Sequence, residues 1–220
     1  MAAHVTRIVV VGAGGHGLVV VDALQSQAAV GQSVQVVAVL DDAPALHGTL
    51  VGRFPVAGDR STLASIPHDA VVVAIGDNAT RRLVQGELEA EGEVVLIAAH
   101  PASVISSAAT VDAGAVVCAG AVVGPAARIR TGAIVNTRAS VDHHCDIGEF
   151  AHVAPGVTLA GGVSVGAEAL VGMGAVVLPG VRIGARVTVG AGTVVLEDVA
   201  DGMTIVGVPG RPLSRPVAVR

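Results

Sequence analysis

Three of the chain's eight histidines fall within ten positions, at His143, His144 and His152, and the first two sit in the run Asp142-His143-His144-Cys145. Imidazole titrates near neutrality, so a histidine here suits removal of a proton from a nucleophile. Cys145 is of a type that can itself form a covalent intermediate. A second set lies near the start of the chain. Gly12-Ala13-Gly14-Gly15-His16-Gly17 formally matches GxGxxG, and backbone N–H groups at the mouth of such a loop attract phosphate. Asp41-Asp42 follow at roughly the distance expected of a ribose-binding acid, and Gly76-Asp77-Asn78 form a third polar cluster. Taken alone, the loop is open to three readings: a nucleotide-linked ligand, a dinucleotide, or a structural turn. No set of His, Cys and carboxylate residues has zinc-ligand spacing, so no metal is expected.

A repeat of unusual period must position the histidines. Stepping by six from Ile105 gives Val111, Val117, Val123, Ile129, Val135, Val141 and so on to Val195, sixteen positions that are all Val, Ile or Leu. Four residues after each comes a residue that is never large, from Ala109 through Cys145 to Thr193. A period of six fits neither an α-helix nor a simple half-buried strand. It fits a short strand plus a corner, and three such units close one triangular coil of eighteen residues. The aliphatic residue points into the prism and the small one packs near the corner. Glycines such as Gly148, Gly166, Gly172, Gly184 and Gly190 follow the aliphatic position, where tight bends are expected. The register runs unbroken from 105 to about 198, so contacts to a bound small molecule must come from prism faces, a neighbouring chain or the N-terminal part. Gly161, eighteen residues after His143, stacks one coil above it on the same face. His152, nine residues after His143, lies one and a half faces around, so the two cannot share a face within one chain. Cys145 occupies a small corner position, which favours packing over a nucleophilic role.

The glycine loop needs a different frame. Residues 7–12 read as a buried strand, followed by a helix through about Gln27; strands at 34–40 and 70–75 and a helix from about 79 to 91 follow, with a fourth strand near 93–97. Strands alternating with helices imply a small parallel sheet, with ligands beyond the carboxyl ends of its strands. All three polar clusters lie there. The expected division is an α/β domain over 1–98 and a β-helix over 99–220 with a short C-terminal tail.

Composition supports the narrow prism. Hydrophobic residues make up 52% of the chain but aromatics only 1%, so Val, Ala and Gly must fill a core that large rings usually fill. The net charge of −5 and the lack of a basic run speak against nucleic acid as a partner. Each apolar stretch is interrupted well short of the roughly 20 residues a membrane span needs. No secretion signal is evident, and two cysteines without a spacing motif fit a reducing cytoplasm.

The loop VVGAGGHG, the LDD that ends the second strand, AIGDN and the hexapeptide half together resemble the sialic-acid O-acetyltransferase / nucleotide-amino-sugar N-acetyltransferase family, which includes the bacillosamine and perosamine acetyltransferases. The most specific stretch runs from Asn136-Thr137 through Val141-Asp142-His143-His144-Cys145 to His152, and Gly207-Val208-Pro209-Gly210 is similar to the family's ending. The resemblance implies a left-handed β-helix, a homotrimer and acetyl-CoA as co-substrate. It implies His143 as catalytic base, His152 near the acetyl group and the Gly161 backbone on the thioester carbonyl. It also implies an acceptor, a nucleotide-linked amino sugar, held at Gly14, Gly15, His16, Asp41 and Asp42; Gly76 and Asp77 join them as expected acceptor contacts by their place beyond the strand ends. Two positions depart from the pattern. His144 stands where the family usually has an acid, and Leu18 stands where it often has a lysine that can meet phosphate.

Acetyl transfer needs a base for the acceptor and a donor for the tetrahedral oxyanion, which are the tasks assigned to His143 and the Gly161 N–H. His144 is either solvated or an orienting partner, and His16 either positions the acceptor or caps its helix. If His143 and His152 serve one site, that site lies between subunits, and a closed trimer has three of them. Three functions stay open at this point: N-acetylation of a nucleotide-linked amino sugar, O-acetylation of a free sugar such as sialic acid, and a non-catalytic nucleotide-binding scaffold.

Overall fold

A computed structural model describes residues 5–213; the last residues of the expected C-terminal tail lie outside them. The N-terminal part runs β1 (Thr6–Val11), α1 (Gly15–Ala29), β2 (Val34–Leu40), a hairpin of β3 (Leu50–Val51) and β4 (Phe54–Pro55), β5 (Ala70–Val73) and α2 (Asn78–Ala90). The long strands form a parallel sheet in the order β2-β1-β5. Their apolar runs are continuous because helices cover both faces. Ile8, Val10 and Val72 pack on Val20, Val21 and Leu24 of α1. Val9, Val11, Val71 and Val73 face Val84 and Leu88 of α2. The fourth strand expected near 93–97 is only a bridge, Val95 to Val71, because the chain leaves the sheet at once and enters its first coil at Ala98–Ala99. The β3–β4 hairpin has no counterpart among the elements expected from sequence.

From Ala98 to Val195, two-residue strands recur every six residues, and each as far as Val176–Val177 pairs in parallel with the strand eighteen residues on. Val122, Ser140, Thr158 and Val176 form one such column. Arg128, Asp146, Ser164 and Arg182 form a second, and Val116, Ile134, His152 and Leu170 a third. The columns belong to sheets of six, five and eight strands, the three faces of a prism. Both inward positions are sealed: Ile129, Val135 and Val141 and the intervening Ala127, Ala133 and Ala139 are all fully buried. This is the α/β sheet followed by a parallel β-helix that the period implies.

The corners differ from expectation in one respect. From Val111 to Val189 the left-handed backbone falls three residues after the aliphatic position, not one. Glycine takes it at Gly132 and Gly162, but Arg138, His144, Phe150 and Glu168 also adopt it. The glycines directly after the aliphatic residue serve another need, the close approach of successive coils. A Cβ on Gly148 would lie 2.7 Å from the Ala167 nitrogen of the next coil.

The N-terminal part packs on the eight-stranded face, where Ala98, Val116, Cys118 and Ile134 share one core with α1. Helix α2 docks on the corner between the five- and eight-stranded faces. Arg81, with no exposed surface, donates from Nε to Gly132 O (2.8 Å) and from Nη2 to Phe150 O (2.7 Å) in the β-helix. It also donates from Nη1 to Ile75 O and Gly76 O and from Nη2 to Asn78 Oδ1 on its own side. Asn78 Nδ2 reaches Glu168 O and Ala169 O, and Arg82 pairs with Glu168. A guanidinium has five N–H donors and stays charged, so burying it requires this many acceptors. Burial lowers its pKa to about 10, still far above neutrality.

Candidate active site

The glycine loop divides its residues by task. A Cβ on Gly12, whose φ is +116°, would meet Ala74 O at 2.7 Å, and one on Gly17 would strike Gly12 O. These two glycines pack the loop against the sheet. At Gly14 and Gly15 a Cβ would have nothing within 4 Å, so the loop's outer surface is open. Leu18 N–H makes the first bond of α1, to Gly14 O. The N–H groups of Gly14, Gly15, His16 and Gly17 have no acceptor among the described residues. Unpaired donors at the positive end of a helix are the kind of group that attracts anions.

Asp41 closes this loop from below: its Oδ2 accepts Ala13 N–H at 2.7 Å and its Oδ1 accepts Ala43 N–H at 2.9 Å. Asp42 pairs with Arg60, Nε to Oδ2 at 2.7 Å, and Arg60 also reaches Glu87. Gly12, Asp41, Asp42, Arg60, Ile75 and Thr80 line a 220 Å³ cleft at the carboxyl ends of β1, β2 and β5. Asp77 lies beside it as the N-cap of α2. Its Oδ1 accepts Thr80 N–H (2.9 Å) and Thr80 Oγ1–H (2.7 Å), bonds that hold the carboxylate below its usual pKa.

Beneath the loop lies the seam with the β-helix. His16 and His152 face each other there, ring centroids 6.3 Å apart, and Gly76 stands against His16. Asn136 Oδ1 accepts Thr137 N–H, so its Nδ2 is the donor to His152 Nε2 at 2.9 Å. That nitrogen must then carry a lone pair, which makes His152 neutral. Burial, aggravated by Arg81, draws the His152 pKa down to about 4. Burial, then His152 and Arg81, does the same to His16, whose Nε2 is buried without a partner.

His143 occupies a different place. It lies between the strands Ser140–Val141 and Asp146–Ile147, at the corner shared by the six- and five-stranded faces and opposite the face that carries the N-terminal part. It is exposed. Its backbone N–H donates to Asp142 Oδ1 at 2.7 Å, so that carboxylate serves the main chain and not the ring. Its Nδ1 lies 3.0 Å from His144 Nδ1. The ring rests on Gly161 so closely that a Cβ there would fall within it. Gly161 is held by flanking bonds: Gly162 N–H to His143 O (2.9 Å) and Gly180 N–H to Gly161 O (3.0 Å). The Gly161 N–H itself has no acceptor among the described residues. A proton acceptor and an unspent backbone donor thus sit side by side. Cys145 is buried beneath them, its thiol donating to Ala160 O, and burial raises its pKa, which suits packing rather than nucleophilic attack.

The structure therefore gathers Gly14, Gly15, His16, Asp41, Asp42, Gly76 and Asp77 with His152 at one seam, and His143 with Gly161 at another corner. Asn78 and Asn136, which help position the seam, lie in motifs the sequence offers, but Arg81 does not stand out there. The available signal is helical phase: Arg81 shares a face with Val84, Gln85 and Leu88, all buried. Among the described residues no cluster of three His, Cys, Asp or Glu could hold a metal ion, and no helix is long and apolar enough to cross a membrane.

Known proteins share this layout. A family model described as PglD N-terminal domain matches residues 7–88, and one described as bacterial transferase hexapeptide (six repeats) matches residues 162–197. The acetyltransferase domain of PglB from Neisseria gonorrhoeae, also solved in complex with acetyl coenzyme A, is 36% identical; the match covers 94% of this chain and 100% of that one, with a TM-score of 0.85. PerB from Caulobacter crescentus, solved with CoA and GDP-perosamine, is 37% identical over 97% of this chain and 99% of that one, with a TM-score of 0.86. WeeI from Acinetobacter baumannii is 29% identical over 94% and 100%, with a TM-score of 0.80. With both architectures shared from end to end at this identity, the chain belongs to the nucleotide-amino-sugar acetyltransferase family and is an acyl-CoA-dependent sugar acetyltransferase.

Proposed function

We propose that this protein transfers the acetyl group of acetyl-CoA to the amine of a nucleotide-linked amino sugar, directly and without an acyl-enzyme. The observation that carries the reading is the stacking of His143 on Gly161, whose N–H is unspent. His143 Nε2 takes a proton from the sugar amine as its nitrogen attacks the thioester carbon. The Gly161 N–H holds the oxyanion. The C–S bond then breaks, and the same proton returns from His143 to the thiolate. The four N–H groups of the glycine loop bind the nucleotide's phosphates, with Asp41, Asp42, Gly76 and Asp77 bordering the nucleoside cleft. Leu18 offers no charge, so phosphate binding rests on backbone donors and the helix dipole. We assign acceptor binding to residues 1–98 and transfer to 99–220.

The same reading requires a homotrimer. An acceptor held on the eight-stranded face cannot reach His143 of its own chain at the opposite corner, so a neighbour must supply the base, and closed symmetry then gives three sites. The exposed ladder Val104, Val122 and Val176 on the six-stranded face, with Leu178 and Leu196 beside the His143 corner, supports a subunit contact there. His152, with Asn136, would then stiffen the wall facing the neighbour's acetyl-CoA. Both described cysteines are free and buried, which fits a cytoplasmic enzyme.

The test is free-thiol release from acetyl-CoA with UDP-, GDP- and dTDP-linked amino sugars and free sialic acid as acceptors, with His143→Ala in parallel. Release with a nucleotide-linked amino sugar, lost in the variant, is the expected result. Release with sialic acid alone would replace this reading with O-acetylation. Failure to bind acetyl-CoA at all would favour the scaffold.

A further inference from the structure

We propose that His144 is the positioning residue of the base, taking the orienting role with a neutral ring instead of an anion. The inference rests on the reading of His143 as base. The two Nδ1 atoms lie 3.0 Å apart and the rings are nearly perpendicular, at 84°. Two neutral imidazoles can share such a contact only if one Nδ1 carries hydrogen and the other a lone pair. A base that accepts at Nε2 must carry its hydrogen on Nδ1. His143 is therefore the Nδ1–H tautomer and the donor. His144 accepts at Nδ1 and carries its own hydrogen on Nε2. One contact fixes both tautomers.

The backbone makes this contact possible. His144 takes the left-handed corner conformation, φ +58°, with its N–H on Pro125 O (3.1 Å). That turn brings its ring back toward its neighbour, where adjacent residues of an extended strand would point to opposite faces. The surroundings are sparse in charge. Asp142 is occupied by the His143 main chain, Cys145 below is a buried neutral thiol, and Gly161 and Ala160 above carry no side-chain charge. During transfer the proton taken at His143 Nε2 leaves a cation on that ring, which the Nδ1–H···Nδ1 bond stabilises because its donor is then charged. The proton then returns to the thiolate, and His144 gains and loses nothing.

Three variants test this, assayed by thiol release from acetyl-CoA with the panel of nucleotide-linked amino sugars. His144→Ala removes the acceptor and should lower kcat about tenfold with KM unchanged, the size of one neutral hydrogen bond. His144→Asn tolerates the left-handed corner, can accept through Oδ1, and should restore most of kcat. His144→Glu should restore kcat while raising the midpoint of the acid limb of the kcat/KM profile by about one pH unit or more, because an anion favours the imidazolium. A second readout needs no acceptor substrate: long-range ¹H–¹⁵N imidazole spectra, recorded on the alkaline plateau where the ring signals no longer move with pH, should show His143 as Nδ1–H and His144 as Nε2–H, with the His143 preference lost in His144→Ala. Full activity in His144→Ala, or a His143 tautomer indifferent to residue 144, would overturn the proposal while leaving the base intact. Activity surviving in His143→Ala would instead overturn the base.

Discussion

Acid should unfold this protein through the two histidines of its seam. His16 and His152 are neutral in the fold, each drawn down to about 4 chiefly by burial, from an ordinary value of 6.5. Between those values the unfolded chain binds protons that the native chain refuses. Stability is therefore complete above about pH 6.5 and falls as the pH drops toward 4. By about pH 5 each histidine costs about 2 kcal/mol. That is a large share of the ~5–15 kcal/mol that holds a typical domain. The perturbation is the double replacement His16→Gln with His152→Gln, which removes both titrations. Urea unfolding followed by far-UV circular dichroism, at one protein concentration from about pH 8 to about pH 5, gives the two stability curves. The native midpoint should drop faster on acidification than that of the double variant, and the gap should open only below about pH 6.5. Parallel curves would refute the claim that these rings are held neutral by the seam.

Further outcomes follow from the other contacts. Arg81→Met keeps the apolar stem but strands the carbonyls of Gly132, Phe150, Ile75 and Gly76; it should cost about 3 kcal/mol or more, read as a lower urea midpoint. Gly161→Ala adds a methyl where the His143 ring lies, at a backbone conformation alanine accepts. Thiol release should fall by at least about 100-fold with the circular dichroism spectrum unchanged. Asp77→Ala should lose about 1 kcal/mol with the cap of α2, while Asp77→Ser should keep nearly all of it; thermal melting separates the two.

The β-helix is legible in the sequence because its period is a packing rule: one inward aliphatic every six residues dictates strand, corner and the pairing of Val122 with Ser140 one coil on. The same rule stacks Gly161 on His143. What it does not carry is the backbone at the corners. The left-handed position accepts Arg138, His144 and Phe150 as well as glycine, so glycine is a poor guide to where the chain bends. The seam is legible only in outline. The polar clusters belong at the carboxyl ends of the strands by topology, but Asp77, expected from sequence only beside the acceptor, is engaged as the cap of α2. Arg81 beside Arg82 looks like a solvated pair on a charged helix. Helical phase separates them, since Arg81 shares the buried face of Val84 and Leu88, but the Gly132 and Phe150 carbonyls it docks against are a tertiary fact with no local signature. The contact between His143 and His144 depends in the same way on the turn at residue 144.

That base and acceptor come from different chains is tested most directly by mixing two inactive proteins. His143→Ala lacks the base but keeps the glycine loop. Gly15→Glu keeps the base and places a carboxylate in the open direction of the loop, where it favours the helix N-terminus and repels phosphate. Denatured together at equal amounts, refolded, and assayed for thiol release with an acceptor the native enzyme uses, they should recover about one quarter of native activity, the share of sites that pair an intact base with an intact loop across a subunit boundary in a closed trimer. Recovery no greater than the sum of the two separate variants would contradict the shared site and place base and acceptor on one chain.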